Sequence, residues 1–122
     1  MRILYVDDED INLRVMRDVF ALVLKRPGAV VTASNGDEAL RLLRRETFDV
    51  VLSDQRMPGM SGTELLGRVR EIAPATARMI VTGFTGDQEV REALRTGLAA
   101  AVVAKPWKPK ELEGTIESIL PK

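Results

Sequence analysis

The sequence contains no cysteine and no histidine among its 122 residues. Without cysteine, disulfide bonds, thiol redox chemistry and thiolate metal sites are excluded. Without histidine, the usual imidazole general base, a Ser-His-Asp triad and nearly all structural zinc sites are excluded as well. Any metal ion held by this chain must therefore bind to oxygen ligands, which favours Mg²⁺, Mn²⁺ or Ca²⁺.

An excess of either charge and long apolar runs are also missing. Lys and Arg total 18 and Asp and Glu total 18, so no global basic field favours direct nucleic-acid binding. The chain begins directly with a strand and no apolar run approaches the length of a membrane span, so we expect neither signal peptide nor anchor and a cytoplasmic location. The length predicts one domain over residues 1–122.

An apolar run that ends in an acid is the most informative stretch of the chain. Residues 48–53 are mostly apolar, and Asp54 follows them before a turn rich in proline and glycine. Continuous valine and leucine are typical of a strand buried on both faces, as in a parallel sheet. Asp54 would then emerge at the carboxyl edge, where open α/β sheets bind ligands. The alternative is an aspartate that merely opens a turn.

The other predicted strands end in the same way. Asp7 and Asp8 follow the first strand, Thr82 ends the fourth and Lys105 follows the fifth. Strands that alternate with amphipathic helices predict an α/β fold. At this length we expect a flavodoxin-like (βα)5 doubly wound five-stranded parallel sheet of order 2-1-3-4-5, which brings all these polar residues to one cleft. The other four strands are predicted at residues 3–6, 29–33, 78–81 and 99–104.

Apolar residues at helical spacing predict the inward faces of the five helices. In chain order these faces are Ile11, Val15, Val19 and Leu22; Gly36, Ala39, Leu40 and Leu43; Leu65, Leu66, Val69 and Ile72; Val90, Ala93, Leu94 and Gly97; and Leu112, Ile116, Ile119 and Leu120. Ser61 and Glu64 predict a capping box at the start of the third helix.

The acidic residues at the cleft point to phosphoryl transfer. Asp7, Asp8 and Asp54 repel one another when ionised, so they need compensating positive charge. A hard divalent cation would supply most of it and Lys105 the remainder, and Mg²⁺ favours one or two carboxylates together with a substrate phosphate. In such a site Asp54 can act as nucleophile and Asp8 as metal ligand, while Thr82 and Lys105 bind phosphoryl oxygens.

With these motifs in this order, the chain resembles the receiver domain of two-component response regulators over essentially its whole length. The resemblance rests on Asp7-Asp8, Asp54 with Met57-Pro58-Gly59, Thr82, and Lys105-Pro106. It implies that Asp54 is a phosphoacceptor that takes its phosphoryl group from a phosphohistidine on a sensor histidine kinase or a phosphotransfer protein. It also implies Mg²⁺ bound by Asp8, Asp54 and the backbone carbonyl of Arg56, with Asp7 contributing through a water molecule.

The resemblance also implies how phosphorylation would change the surface of the domain. Such a domain catalyses only its own phosphorylation and dephosphorylation, and it changes the surface of the fourth helix, fifth strand and fifth helix. That surface would serve a homodimer or an output domain, linked or separate, with no role for nucleic acid or membrane. The family also implies a cis peptide bond between Lys105 and Pro106.

Three residues give this chain its own character within that resemblance. Val102 stands where the family commonly has Tyr or Phe, so the aromatic part of the switch is absent. Arg56 and Phe84 lie two residues beyond Asp54 and Thr82, where their bulk predicts slow autodephosphorylation.

Two alternatives remain open on the sequence. A phosphatase of the haloacid dehalogenase type also uses an aspartate after its first strand, and Asp8-Glu9-Asp10 loosely matches that motif, although the chain is short and has no obvious cap. In that case Asp8 would carry the phosphate. A phosphorylation-independent interaction module of receiver fold would account for Val102 but not for the complete set of acidic, Thr and Lys residues.

Overall fold

The computed structural model describes residues 1–121, in which five parallel strands alternate with five helices. The strands lie in the order β2-β1-β3-β4-β5, so the predicted flavodoxin-like sheet is confirmed. The elements are β1 (Ile3–Val6), α1 (Asp10–Asp18), β2 (Val30–Ala33), α2 (Gly36–Arg45), β3 (Val50–Ser53), α3 (Gly62–Ile72), β4 (Ala77–Thr82), α4 (Gln88–Thr96), β5 (Ala101–Ala104) and α5 (Pro109–Ile119).

The sheet lies between two helical layers. Successive side chains of a strand point to opposite faces, so Leu4 and Val6 pack beneath α2, α3 and α4, whereas Ile3 and Tyr5 pack beneath α1 and α5. All four residues of β1 are buried. This two-sided burial explains why the central strands are continuous apolar runs.

Of the four residues predicted to face inward at α1, only Val19 packs against the core, and Val15 is 43% exposed. Ile11 and Leu22 are 60% and 67% exposed, whereas Leu13, Met16 and Phe20 are buried against the sheet. The helix is apolar on two sides, and spacing alone does not decide which side faces the sheet. Leu13, Met16 and Phe20 follow ordinary helical spacing along the buried side, and after Asp18 the helix continues as a π-helical turn (Val19–Val23).

The other helices follow the prediction more closely. The face predicted for α2 is buried, as are Leu65, Leu66 and Val69 of α3 and Leu112 and Ile116 of α5. Ile72 and Leu94 were expected to face inward but are 41% and 48% exposed. Ile72 is the last residue of α3, and the buried residues of α4 are Val90 and Ala93.

The helix ends are capped largely as the sequence indicates. Ser61 caps α3 by accepting a hydrogen bond from the N–H of Glu64 at 3.3 Å. The return contact runs from the Ser61 hydroxyl to the Glu64 carboxylate, not from the Ser61 N–H as a full capping box requires. Gly97 belongs to the C-terminal cap of α4, with φ of 80°, and not to its inward face. Within residues 1–121 no helix is long and apolar enough to cross a membrane.

Candidate functional site

Three carboxylates meet at the carboxyl edge of the sheet. Strands β1 and β3 are neighbours in register, with Val6 opposite Ser53, so the residues that follow each strand emerge side by side. The N–H of Asp54 donates to the carbonyl of Val6 at 3.0 Å. Oxygen atoms of Asp7, Asp8 and Asp54 consequently lie within 4.8 Å of one another.

The first of these acids, Asp7, is held by the protein itself. Its side chain is fully buried. One oxygen, Oδ2, accepts hydrogen bonds from the Tyr5 hydroxyl at 2.8 Å and from the Asn12 amide at 3.1 Å. The other, Oδ1, accepts the backbone N–H of Glu9 at 3.0 Å. A buried carboxylate can stay ionised only with such partners. These hydrogen bonds therefore fix the position of the Asp7 side chain.

Lys105 contacts both Asp7 and Asp54. Its backbone N–H donates to the carbonyl of Thr82 at 2.8 Å, which fixes the end of β5 beside β4. Its Nζ atom lies 3.2 Å from Asp7 Oδ2 and 3.3 Å from Asp54 Oδ2. The peptide bond from Lys105 to Pro106 is cis, as expected from the family resemblance. One ammonium group therefore partly neutralises two carboxylates.

The pKa values of Asp54 and Lys105 are both shifted by burial and by neighbouring charges. Burial raises the pKa of Asp54, and Asp7 raises it further, while Lys105 and the N–H of Gln55 act in the opposite direction. Burial on its own lowers the pKa of Lys105, but the charges and hydrogen bonds of Asp54 and Asp7 outweigh it and hold that pKa above its ordinary value. Lys105 is thus a firmly charged partner for a carboxylate of increased basicity.

Asp8 is in a different situation from Asp7. It is exposed, and its carboxylate accepts no hydrogen bond from any of residues 1–121. Together with the partly buried carboxylate of Asp54 it offers hard oxygen ligands to a cation. Mg²⁺ is commonly held by one or two carboxylates, so this pair of neighbouring acids fits the ion that the family implies.

The fourth strand brings the remaining predicted residue to the same edge. Thr82 is buried, and its hydroxyl accepts the backbone N–H of Phe84 at 3.2 Å. Beyond it, the guanidinium of Arg56 lies over the ring of Phe84 at 5.1 Å and 3.9 Å from Asp87. The two residues that were expected to restrict access to Asp54 are therefore in contact with each other.

Sequence reasoning missed three residues around the site. Tyr5 and Asn12 bind Asp7, and Gln55 binds Asp54 through its backbone N–H at 2.9 Å. A lone hydroxyl in an apolar strand was the available signal for Tyr5. Asn12 lies one helical turn after the acidic pair, which also marks it as a candidate. Gln55 carried no local signal.

Val102, within β5, and Trp107, after it, are both partly buried. Val102 is partly buried and packs against the core beneath α4, so an aliphatic side chain occupies the position usually held by an aromatic ring. Trp107 is partly buried beside the site. It lines a cavity of about 470 Å³ together with Tyr5, Asn12 and Lys105.

The sequence of the chain matches a family model described as the response regulator receiver domain over residues 3–117. A response regulator receiver protein of Anaeromyxobacter is 42% identical over 86% of this chain and 42% of its own length. The hydrogenase transcriptional regulatory protein HoxA of Cupriavidus necator is 35% identical over 93% of this chain. The chain spans only 23% of the length of HoxA.

A solved structure agrees with the sequence relatives. The response regulator protein TrrA of Thermotoga maritima, crystallised in complex with Mg²⁺ and beryllofluoride, has a TM-score of 0.80 and 28% identity, with 98% of each chain covered. The match of the family model to nearly the whole sequence, the parallel sheet and the acidic edge agree with one another. The chain belongs to the response regulator receiver domain family.

Proposed function

We propose that this domain accepts a phosphoryl group on Asp54, from a phosphohistidine of a sensor histidine kinase or a phosphotransfer protein, in a reaction that requires Mg²⁺. The observation that supports this most strongly is the position of Lys105 Nζ, 3.3 Å from Asp54 and 3.2 Å from Asp7. A cation fixed beside a basic, half-buried carboxylate is what an incoming phosphoryl group needs for charge stabilisation.

The transfer itself exchanges one bond for another. An oxygen of Asp54 attacks the phosphorus, an O–P bond forms, and the N–P bond breaks with its electron pair returning to the imidazole of the partner. Lys105 pairs with the negative phosphoryl oxygens as they arrive, and the Thr82 hydroxyl turns from its present partner, the N–H of Phe84, to donate to one of them. Hydrolysis by water later releases inorganic phosphate and restores the Asp54 carboxylate.

Asp8, Asp54 and the backbone carbonyl of Arg56 would hold Mg²⁺, with Asp7 contributing through water. The ion would supply positive charge that neutralises the phosphoryl oxygens and the three crowded carboxylates. The complex of TrrA with Mg²⁺ and beryllofluoride supports the same ligand class here. Asp7 already accepts three hydrogen bonds and an ion pair, which agrees with an indirect role.

Partners follow from the same reaction. The phosphodonor is a histidine-containing protein, since this chain has no histidine of its own. The output is carried by α4, β5 and α5, either through a homodimer or through an output domain, in the cytoplasm. The chain matches 23% of HoxA, a protein named as a transcriptional regulator, which supports a linked or separate output domain.

Mapping the phosphorylated residue tests the proposal. The domain is incubated with acetyl phosphate in the presence of Mg²⁺ or of a chelator, digested at acidic pH and sequenced by mass spectrometry. We expect one phosphate on the peptide that contains Asp54, and only with Mg²⁺. Phosphate on Asp8 would instead indicate the dehalogenase-type phosphatase, and a folded protein that takes up no phosphate would indicate a phosphorylation-independent interaction module.

A further inference from the structure

The residue after the phosphoacceptor makes an unusual number of contacts for a loop residue. Gln55 is 3% exposed. Its N–H donates to Asp54 Oδ1, and its carbonyl accepts the N–H of Gly62 at 3.0 Å. Its side-chain oxygen accepts the N–H of Thr63 at 2.8 Å. Gln55 therefore closes residues 55–62 into a loop whose two ends are joined.

The close approach of the two loop ends leaves no room for a side chain. A Cβ atom at Gly62 would lie 2.3 Å from the carbonyl oxygen of Asp54 and 3.0 Å from Oε1 of Gln55. Gly62 is therefore required at this position by contact with the backbone of the phosphoacceptor. The close contact at Gly62 prevents Asp54 from moving closer to the start of α3. The hydrogen bonds of Gln55 to Gly62 and Thr63 oppose movement away from it.

The hydrogen bonds continue from this loop into α4. The side-chain nitrogen of Gln55 lies 3.2 Å from Thr63 Oγ1, which lies 3.0 Å from Oε2 of Glu89. A carboxylate only accepts and an amide N–H only donates, so the direction of both bonds is fixed. Gln55 donates to Thr63, and Thr63 donates to Glu89 in the first turn of α4.

A second contact joins the same two segments. Arg56 lies 3.9 Å from Asp87, the residue that caps α4 through the N–H groups of Glu89 and Val90. The Arg56 side chain is 69% exposed, and exposed ion pairs at this distance contribute little. The two hydrogen bonds of Thr63, at 3.2 and 3.0 Å, are shorter than this ion pair, and Thr63 is buried. The connection through Thr63 is therefore the stronger of the two.

We propose that Gln55 is a positioning residue that, through Thr63 and Glu89, couples the geometry of the phosphoacceptor loop to the order of the first turn of α4. The proposal builds on the proposed function, since it names the route by which a change at Asp54 reaches the output surface. It also provides a route that does not depend on an aromatic residue at position 102, which here is Val102. If a ligand at Asp54 displaced Gln55, the hydrogen bonds from Gln55 to Thr63 and from Thr63 to Glu89 would change in turn.

The first test needs no phosphoryl chemistry. Backbone hydrogen exchange is measured on Glu89→Ala and on the matched control Glu92→Ala, an exposed glutamate of the same helix that has no contact with Thr63. In the Glu89 variant we expect the amides of Gly62 and Thr63 to exchange about fivefold faster than in wild type, because the end of the hydrogen-bond chain is lost. The proposal is overturned if the amides of Gly62 and Thr63 exchange at the wild-type rate in the Glu89 variant, or if they exchange equally fast in the Glu89 and Glu92 variants.

The second test asks whether the link transmits a change. Exchange at the amides of Glu89 and Val90 is compared with and without Mg²⁺ and beryllofluoride, in wild type, Thr63→Val and Thr63→Ser. We expect a response in wild type and in the serine variant, which keeps the hydroxyl, and none in the valine variant. A response in the valine variant equal to wild type overturns the coupling. If wild type binds no beryllofluoride, the proposed function fails, and the first test alone decides the coupling.

Discussion

The two halves of the acidic site differ in how firmly the protein holds them. In the inner half, made of Tyr5, Asp7, Asn12 and Lys105, the central carboxylate is fully buried and its hydrogen-bond acceptors are in use. In the outer half, made of Asp8 and Asp54, Asp8 is exposed and Asp54 is only partly buried. The inner half provides a fixed charge environment, and the outer half leaves oxygens for ligands.

The largest effect is expected in the outer half, from Asp54→Asn. The amide lacks the nucleophilic oxygen, so phosphorylation by acetyl phosphate should fall below detection in an intact-mass assay. Asp37→Asn, an exposed acid in the first turn of α2, is the matched control and should be phosphorylated like wild type. Persistent single phosphorylation of the Asp54 variant would place the phosphoacceptor elsewhere.

The inner half should dominate stability. Asp7→Ala leaves the buried hydroxyl of Tyr5 and the amide of Asn12 without their acceptor, which should cost about 1–3 kcal/mol of unfolding free energy. Asp8→Ala, with no hydrogen bond to lose, should change it by less than about 0.5 kcal/mol. Urea unfolding of the two variants measures both values. Equal losses for the two neighbours would contradict the division into halves.

Access to the outer half should control the lifetime of the phosphorylated state. Arg56 and Phe84 lie against each other, two residues beyond Asp54 and Thr82 in sequence, so we expect Arg56→Asn with Phe84→Ala to lose phosphate several-fold faster than wild type. The decay is followed by intact mass after the donor has been removed. Arg41→Asn, which changes an exposed arginine on α2, serves as control. A decay rate no faster than wild type would remove the proposed role of this pair.

The smallest effect is expected for an ion pair remote from the site. Its contribution to the free energy of unfolding is the reference against which the loss in the inner half is compared. Arg26 Nε lies 2.7 Å from Glu113 Oε2 and holds the pKa of Glu113 below its ordinary value. A lowered folded-state pKa stabilises the fold above the unfolded-state pKa, and this contribution is lost as pH falls through the folded-state value. Glu113→Gln should therefore be less stable than wild type at neutral pH, with the difference shrinking on acidification. A difference that does not depend on pH would contradict this assignment.

The sequence was sufficient for the sheet and for the polar residues that follow its strands, but not for Tyr5, Asn12 and Gln55, which contact them. Each strand is short, strongly apolar and terminated by a polar residue, so strand order places Asp7, Asp8, Asp54 and Lys105 together by topology. The cis peptide bond before Pro106 came from family resemblance and not from local physics. These features are local in sequence or general to the fold, which is why they were predictable.

Other features depend on contacts that no local pattern reveals. Helix α1 is apolar on two sides, and only packing beneath the sheet selects Leu13 and Met16 over Ile11. The π-helical turn after α1 changes the spacing that the periodicity assumed. The link from Gln55 to Glu89 joins residues from three segments, and the three polar residues have ordinary surface interpretations when taken singly.

The affinity for Mg²⁺ tests most directly the claim that the outer half is the ligand-binding half. Calorimetric titration is carried out on wild type, on Asp8→Asn and on Asp10→Asn, whose residue is an exposed acid outside the carboxylate cluster. We expect the Asp8 variant to bind Mg²⁺ more weakly by roughly tenfold or more, because it loses a charged oxygen ligand, and the Asp10 variant to match wild type. Equal affinity in the Asp8 variant and wild type would contradict the assignment of this half to the metal.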